Sequence, residues 1–448
     1  MEKDFSKNAL LLCSLIIIFL ISISTFSEFQ TPFFSYKKSD ILRDIRIKKV
    51  VSPAPKKAEN KLLTTHKPAK LKKTLPIPKG LVEFEDFSAD GQYLQPVFSK
   101  LKSLANGNQP LRIAFFGDSF TEGEIITADV REMLQEKFGG EGGGFIPLRI
   151  ESAGPSPLAE VKQTKVSSYS IVANRGKYEF QGISGRYFLA RNNASLSMRC
   201  NNLRPKTNNS TFARLLFRPL DEVDIRYSAN NQFIDSVHFD SSKSLKMIEI
   251  DGKVNNVSFN FQNTDSVILY GVAFDCLKGV ILDNLSLRSN SGLTLTALSS
   301  RQLAEFNRLR PYDLVILQYG LNAFPSTGNF SGYKKGMIHV INHLKASMPN
   351  ARFILFSMSD KGENIDGEVV THHLLADFIQ TQKEMAEETG ICFWNMFEAM
   401  GGEGTIARWA QAEKPLAAKD YTHIGPGAGR IIAKKFVSSF LFEQTKFQ

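Results

Sequence analysis

The feature that most constrains the fold is an alternation of apolar, strand-like runs with helical patterns in the C-terminal part of the chain. The strand-like runs are residues 279–287, 313–320, 352–359 and 391–397. Helical patterns separate these runs, and a last one covers residues 429–441. Because consecutive parallel strands need a crossover that is usually a helix, the alternation predicts a parallel sheet covered by helices on both faces.

A further strand-like run, residues 111–116, leads directly into Gly117, Asp118 and Ser119, and a helix start follows near Glu122. Ser119 is therefore expected at the carboxyl end of a strand and beside a helix N-terminus. Open α/β sheets bind ligands there, and negative charge is stabilised there. A turn serine that only caps the helix is the structural alternative. The functional interpretation, a nucleophilic serine, requires a base that removes the hydroxyl proton.

A base of this kind is offered by His423, which follows Asp420 by three residues. The pair lies in a predicted loop between the last strand and the last helix, so it falls on the same sheet edge as Ser119. A carboxylate beside a histidine fixes the tautomer in which the imidazole can accept the serine proton. The sequence therefore predicts a catalytic triad of Ser119, His423 and Asp420.

Together, G-D-S at 117–119 and D-x-x-H at 420–423 resemble the SGNH, or GDSL, hydrolase family, named for four blocks containing Ser, Gly, Asn and His. The resemblance implies a flavodoxin-like, three-layer α/β fold and serine esterase activity. It also implies an oxyanion hole formed by the backbone N–H of Ser119, a block-two glycine and the side-chain amide of Asn322. Asn322 stands in G-L-N-A, where Ala323 replaces the acid that the family usually has.

Two glycines compete for block two. Gly185 ends G-I-S-G at 182–185, and Gly292 ends R-S-N-S-G at 288–292. Gly292 lies in a strand–helix–strand unit of about thirty residues, the length that a βαβ crossover requires. Gly185 lies in a β-rich region without such a unit. Gly292 is therefore the predicted oxyanion-hole glycine, and Gly185 is the alternative.

Residues 152–278 carry short alternating runs separated by Asn, Gly, Ser and Asp, a pattern typical of a β-sandwich. This predicted domain would be inserted between a first hydrolase segment, 81–151, and a second, 279–448. Exported peptidoglycan O-acetylesterases look similar, since they carry a sandwich resembling a carbohydrate-binding module at this point. Aromatic residues that could stack on sugars, or instead fill the domain core, are Tyr169, Tyr178, Tyr187, Phe188 and Tyr227.

The N-terminal segment indicates export. After a short tip, 1–8, residues 9–26 are uncharged and can just span a bilayer or act as a signal; without an A-x-A site, an uncleaved membrane anchor is expected. Residues 27–80 form a Lys/Pro-rich linker. Its fourteen basic and four acidic residues account for the net charge of +10 of the whole chain. The folded remainder is formally neutral, which argues against nucleic acid as a partner.

Neither a cofactor nor a metal ion is expected, because no C-x-x-C pair or Cys/His cluster indicates zinc. His339 and His343 are four apart on a predicted helix, with no third ligand nearby in sequence, and are interpreted as a polar helix face. His372 and His373 open a helix at the sheet edge where they could contact substrate. Cys200 and Cys276 are expected as buried free thiols, with a disulfide between them as the alternative.

The sequence and the resemblance together predict a serine esterase in the bacterial cell envelope. It would be anchored in the inner membrane, with its catalytic domain in the periplasm or outside the cell. Its expected substrate is an O-acetyl or other short acyl group on a polysaccharide such as peptidoglycan, removed through an acyl-enzyme on Ser119. The alternatives are a polysaccharide O-acetyltransferase with the same triad and a non-catalytic glycan-binding protein. The oligomeric state is not predicted.

Overall fold

The computed structural model describes residues 75–107, 109–148, 158–173, 179–202, 204, 206–324 and 327–447, together with two short strands near the N-terminus. The chain divides into two compact units, Met1–Ala69 and Lys70–Gln448. In the first unit, β1 (Phe29–Thr31) pairs antiparallel with β2 (Phe34–Tyr36). The predicted anchor at 9–26 lies outside the described residues. Within those that are described, no helix is both long and apolar enough to cross a membrane.

The second unit begins with a short α/β segment. Its elements are β3 (Phe84–Asp86), α1 (Gln95–Ser103), β4 (Leu111–Gly117) and α2 (Thr127–Phe138). Every residue of β4 is buried, as expected for a strand covered on both faces. A 3₁₀ turn at Glu122–Glu124 connects the end of this strand to α2. The predicted strand at 111–116 is confirmed.

An antiparallel region follows. Its strands are β5 (Gly144–Pro147), β6 (Ala159–Ser170), β7 (Arg186–Cys200), β8 (Ser210–Pro219), β9 (Val223–Ala229), β10 (Gln232–Phe239), β11 (Lys246–Val254), β12 (Asn256–Gln262) and β13 (Val267–Asp275). They form one nine-stranded sheet. The sheet already begins with β5, which pairs with β13, so antiparallel pairing starts before the boundary predicted at 152.

The long strand β7 lies in the middle of this sheet and connects its two halves. Its residues Phe188–Ala190 pair with β13, whereas Ala194–Arg199 pair with β12. Inward side chains alternate along the strands, as Val223, Ile225 and Tyr227 do in β9, and together they form a common apolar core. The predicted all-β region is therefore present, but its strands are continuous through β7 instead of forming two separate sheets.

The chain then returns to alternating elements. They are β14 (Val280–Asn284), α3 (Ser300–Leu309), β15 (Leu314–Gln318), α4 (Ser331–Ser347), β16 (Arg352–Phe356), β17 (Gly362–Ile365), β18 (Glu368–Thr371), α5 (Leu375–Thr389), β19 (Cys392–Trp394), α6 (Met396–Met400), α7 (Thr405–Gln411) and α8 (Pro426–Thr445). Local sequence supports these limits: Ser299 and Gln302 form a capping box at α3, and Pro426 begins α8.

The main sheet has the order β14-β4-β15-β16-β19-β3. Its first five strands are parallel, and the edge strand β3 is antiparallel to β19. Apolar side chains of α3, α4 and α5 cover one face, and those of α1, α2 and α8 cover the other. The predicted three-layer arrangement around a parallel sheet is confirmed, and the carboxyl ends of β4, β15 and β16 meet at one edge.

A buried charge cluster connects the antiparallel sheet to this parallel sheet. The guanidinium of Arg310 donates to Asp275 at the end of β13, at 2.9 Å, and to Asp283 in β14, at 2.6 Å. Burial raises the pKa of Asp283, but the charge of Arg310 and its hydrogen bonds outweigh this effect, so the pKa is lowered overall. The Asp283 carboxylate is thus held as an anion at the junction.

Candidate active site

The three predicted triad residues lie together at the carboxyl edge of the parallel sheet. Ser119 Oγ is 3.3 Å from His423 Nε2, and His423 Nδ1 is 2.7 Å from Asp420 Oδ2. Ser119 follows β4, whereas Asp420 and His423 lie in the loop before α8. The sheet topology therefore brings together residues that are 304 positions apart in sequence. A histidine placed between a hydroxyl and a carboxylate can accept the serine proton.

The triad loop holds Asp420 by its backbone. Asp420 Oδ1 accepts the N–H groups of Thr422 and His423, each at 3.0 Å, so both carboxylate oxygens are bonded. Burial raises the pKa of Asp420, but hydrogen bonds from the backbone and imidazole of His423 lower it below its ordinary value overall. Asp420 is therefore an anion at neutral pH and can fix the imidazole with Nδ1 protonated.

Asp118, the residue before Ser119, has an environment that the sequence did not reveal. It is completely buried, and its Oδ1 accepts the N–H of Phe120 at 2.9 Å. Burial raises the pKa of Asp118 to about 7; the Phe120 N–H, the charge of His423 and the Asn322 side chain act in the opposite direction. The G-D-S motif alone predicted only a turn residue at this position. Its burial could not be predicted, because burial depends on tertiary contacts.

Asn322 lies in the loop after β15, with its Nδ2 donating to the backbone oxygen of Asn290 at 3.3 Å. The Asn322 side chain also lowers the pKa of Asp118, so it lies near the turn that carries Ser119. The loop is closed by a backbone bond from Ala323 N to Gly320 O, at 2.9 Å. This turn forms without the acid that the family usually has after the asparagine.

Gly292 has a packing role in this structure. Its backbone N–H donates to Asn290 Oδ1 at 2.9 Å, its φ is +90°, and a Cβ would lie 2.8 Å from Met337 Sδ and 3.0 Å from the Tyr319 ring. Because the N–H is already bonded to a side chain, the structure gives no separate support to the oxyanion role of Gly292, which stays a prediction.

The alternative glycine, Gly185, is similarly enclosed. Its N–H donates to Gly182 O at 2.9 Å, and a Cβ would lie 2.9 Å from Ile171 and 3.2 Å from Leu287. Gly185 thus supports the contact between the antiparallel region and the segment after β14. Neither candidate glycine directs its N–H toward Ser119 in this arrangement.

Two buried groups around the site were missed from the sequence. Asn290 is 1% exposed and accepts the Gly292 N–H and the Thr294 hydroxyl through its side chain. Glu122, three residues after Ser119, accepts Arg186 of β7 at 2.7 Å and Arg288 at 3.0 Å. The partners of Glu122 lie far away in sequence, so no local pattern indicated this residue, whereas Asn290 bonds within its own loop.

The hairpin β17–β18 lies beside the triad loop. Gly362 N donates to Tyr421 O at 2.8 Å, and Lys361 Nζ donates to Thr422 Oγ1 at 3.5 Å. A hairpin signal was present in the sequence, because Asp366 and Gly367, both at positive φ, form its two-residue turn. Two short strands therefore follow the predicted strand at 352–359, and His372 and His373 lie before α5 instead of opening it as predicted.

The other residues singled out from the sequence have varied environments. Phe188 and Tyr227 belong to the core of the antiparallel sheet, so they do not offer faces to sugars. Tyr187 is buried and stacks on the partly exposed Tyr169 at 4.7 Å between ring centroids. Tyr178 lies outside the described residues. His343 Nε2 bonds Leu298 O at 2.6 Å.

The cysteines fit the predicted chemistry. Cys200, Cys276 and Cys392 are buried free thiols, so the disulfide alternative for Cys200 and Cys276 is not found. Burial raises the pKa of Cys200 to about 12. A thiol of this kind stays protonated and behaves as a small apolar side chain.

No protein-family model matches the sequence, and no curated protein sequence matches it. Among solved structures, a peptidoglycan O-acetylesterase superposes with a TM-score of 0.68 at 18% identity, covering 81% of this chain and 99% of the other. A family two carbohydrate esterase from Cellvibrio japonicus has a TM-score of 0.27 at 8% identity, covering 65% of this chain and 100% of its own, which is too weak to carry an argument. The chain therefore has the fold of a peptidoglycan O-acetylesterase, as the resemblance to this class of SGNH hydrolases implied.

Proposed function

We propose that this protein is a serine esterase that removes O-acetyl or other short acyl groups from a cell-envelope polysaccharide such as peptidoglycan. The observation that carries the proposal is the chain of contacts from Ser119 Oγ through His423 to Asp420, with distances of 3.3 and 2.7 Å. A buried structural serine would not require a histidine on its hydroxyl and a carboxylate on the far nitrogen of that histidine.

The chemistry follows from these contacts. His423 Nε2 accepts the hydroxyl proton as Ser119 Oγ attacks the acyl carbon, and the imidazolium is stabilised by Asp420. The tetrahedral oxyanion is received by the Ser119 backbone N–H and the Asn322 amide. The bond between the acyl carbon and the sugar oxygen then breaks, and protonated His423 gives its proton to that oxygen, so the sugar leaves with a free hydroxyl and the acyl group stays on Ser119. Water, deprotonated by His423, attacks that ester and releases the carboxylic acid and free Ser119.

The substrate class is supported by the overall fold and by the exposure of the site. The matched structure belongs to a peptidoglycan O-acetylesterase, and the match extends over both the parallel and the antiparallel regions because it covers 81% of the chain. The side chains of His423 and Asp420 are each about half exposed, so an acyl group on a bulky polymer can approach them. The apolar segment at 9–26 and the basic linker would hold such an enzyme at the envelope.

Acetate release from O-acetylated peptidoglycan by the full-length protein tests this proposal, with Ser119→Ala as the inactive variant. Ser103→Ala, which removes an exposed hydroxyl on α1, is the matched control and should retain full activity. Acetylated acceptor oligosaccharides appearing in place of acetate would identify a transferase instead. Retention on the polymer without either product would identify a glycan-binding protein.

A further inference from the structure

A second cluster of chemically active side chains lies on the hairpin side of the site. Glu363 of β17 and the two histidines that follow β18, His372 and His373, each place one ligand atom within 4.8 Å of the others. His373 Nδ1 is 2.9 Å from Glu363 Oε1, and His372 Nε2 is 3.8 Å from Glu363 Oε2. Among the described parts of the chain, this is the group of His, Cys, Asp and Glu residues assembled closely enough to hold a metal ion.

We propose that Glu363, His372 and His373 bind a divalent transition-metal ion, with Zn²⁺ as the preferred occupant. Two imidazoles and one carboxylate form a common three-ligand zinc set, which leaves a fourth position for water. Tetrahedral bonds of about 2.0–2.1 Å place the ligand atoms about 3.3 Å apart, so the cluster needs to contract by only about 1.5 Å at its widest.

The positions of the three side chains allow this contraction. The His373 side chain is 66% exposed and can turn about its own bonds, whereas His372 and Glu363 are each less than one-fifth exposed. The ring of His372 is held on its other side by Phe324, at 4.8 Å between centroids. The site therefore combines two largely buried ligands with a third one, His373, that faces solvent and stacks on His372 at 4.8 Å between ring centroids.

A bound ion would join the first strand of the hairpin to the chain after its second strand. In this structure two hydrogen bonds hold the junction. His372 N donates to the backbone oxygen of Lys361 at 2.8 Å, and His373 N donates to the side-chain Oε1 of Glu363 at 2.6 Å. The neighbouring Gly362 N–H reaches Tyr421 O in the triad loop. Metal binding would thus reduce the motion of the β17–β18 hairpin, which lies beside the candidate active site.

The binding test uses full-length protein freed of metal with a chelator and titrated with ZnCl₂ by calorimetry. One Zn²⁺ per chain is expected. Glu363→Gln and His373→Ala should each weaken binding by at least about 10-fold, because even changes to groups that only orient a ligand cost 10–100-fold. Both variants should retain the wild-type melting temperature in zinc-free buffer, since glutamine keeps an oxygen for the His373 N–H and the His373 side chain is largely exposed.

Two matched controls locate the ion. His339→Ala removes an exposed histidine on α4, and His423→Ala removes the triad imidazole; both should leave zinc affinity unchanged. Hydrogen exchange of residues 361–374 should slow on addition of Zn²⁺ in the wild type and not in Glu363→Gln. Unchanged affinity in Glu363→Gln and His373→Ala, loss of binding in either control, or no saturable binding would overturn the proposal.

Discussion

Glu122 and Arg186 form a buried ion pair, 2.7 Å between Oε1 and Nη2, that attaches the antiparallel sheet to the turn carrying Ser119. Arg186 begins β7, and Glu122 lies three residues after Ser119. Both side chains are less than 5% exposed. The antiparallel region thus helps to hold the geometry of the candidate active site, in addition to any role in binding glycan.

Arg186→Ala should destabilise the protein strongly. Removing Arg186 leaves the buried Glu122 carboxylate with the half-exposed Arg288 as its remaining cationic partner, which costs about 1–3 kcal/mol of unfolding free energy. Urea unfolding measures this change. Arg191→Ala, on an exposed position of the same strand, is the matched control and should stay within about 0.5 kcal/mol of the wild type. Equal stabilities of the two variants would show that the pair contributes nothing to the fold.

Asp118→Asn should change the pH dependence of stability. Burial raises the pKa of Asp118 to about 7 in the folded state, from 3.8 in an exposed reference. The folded state therefore binds this proton more tightly, so the stabilisation is complete below pH 3.8 and is lost as the pH rises toward 7. Between pH 5 and pH 8 the wild type should lose about 3 kcal/mol through this group.

Asparagine keeps an oxygen for the Phe120 N–H but has no proton to lose in this range. Urea unfolding at pH 5 and pH 8 should therefore show a smaller decline for Asp118→Asn than for the wild type. An identical decline in both proteins would mean that Asp118 does not titrate in the folded state as its burial indicates.

Asn322→Ala should lower kcat on a small acetyl ester by roughly 10²–10³, the usual cost of one lost oxyanion donor, with little change in KM. Asn106→Ala, at an exposed position after α1, should have no effect. If the substitution at 322 raised KM and left kcat unchanged, Asn322 would contact the substrate without stabilising the oxyanion.

Gly292→Ala should act mainly on stability. The added Cβ must displace Met337 and Tyr319, and alanine is strained at a φ of +90°. Overpacking of this kind costs about 1–3 kcal/mol. Gly332→Ala in α4 is the matched control, because a Cβ there meets nothing within 4 Å. A stable Gly292→Ala protein with severely reduced kcat would instead support the oxyanion role predicted from the sequence.

The sequence predicted the parallel sheet and the triad because both depend on signals that are local. Apolar runs such as β4 and β15 are buried on both faces, and motifs at their ends mark one sheet edge. Contacts between residues that are far apart in the sequence could not be predicted in the same way. The continuity of the antiparallel sheet through β7, the start of that sheet at β5 and the burial of Asp118 all depend on partners remote in sequence.

The candidate oxyanion-hole glycine, Gly292, shows the same limit. The strand–helix–strand unit predicted around Gly292 is present, since β14, α3 and β15 follow in that order. Its hydrogen bond to Asn290 and its contacts with Met337 and Tyr319 could not be inferred, because each depends on how the loop folds back on the core. Packing by itself therefore favours a glycine at position 292.

Ser119 is proposed as the nucleophile, and His423 as the base that activates it. The most direct measurement is peptide mapping by mass spectrometry after the full-length protein reacts with a serine-directed phosphonate. We predict one adduct per chain on Ser119, strongly reduced labelling in His423→Ala and none in Ser119→Ala. Labelling of a different serine, with Ser119 unmodified in the folded wild-type protein, would show that Ser119 is not the nucleophile.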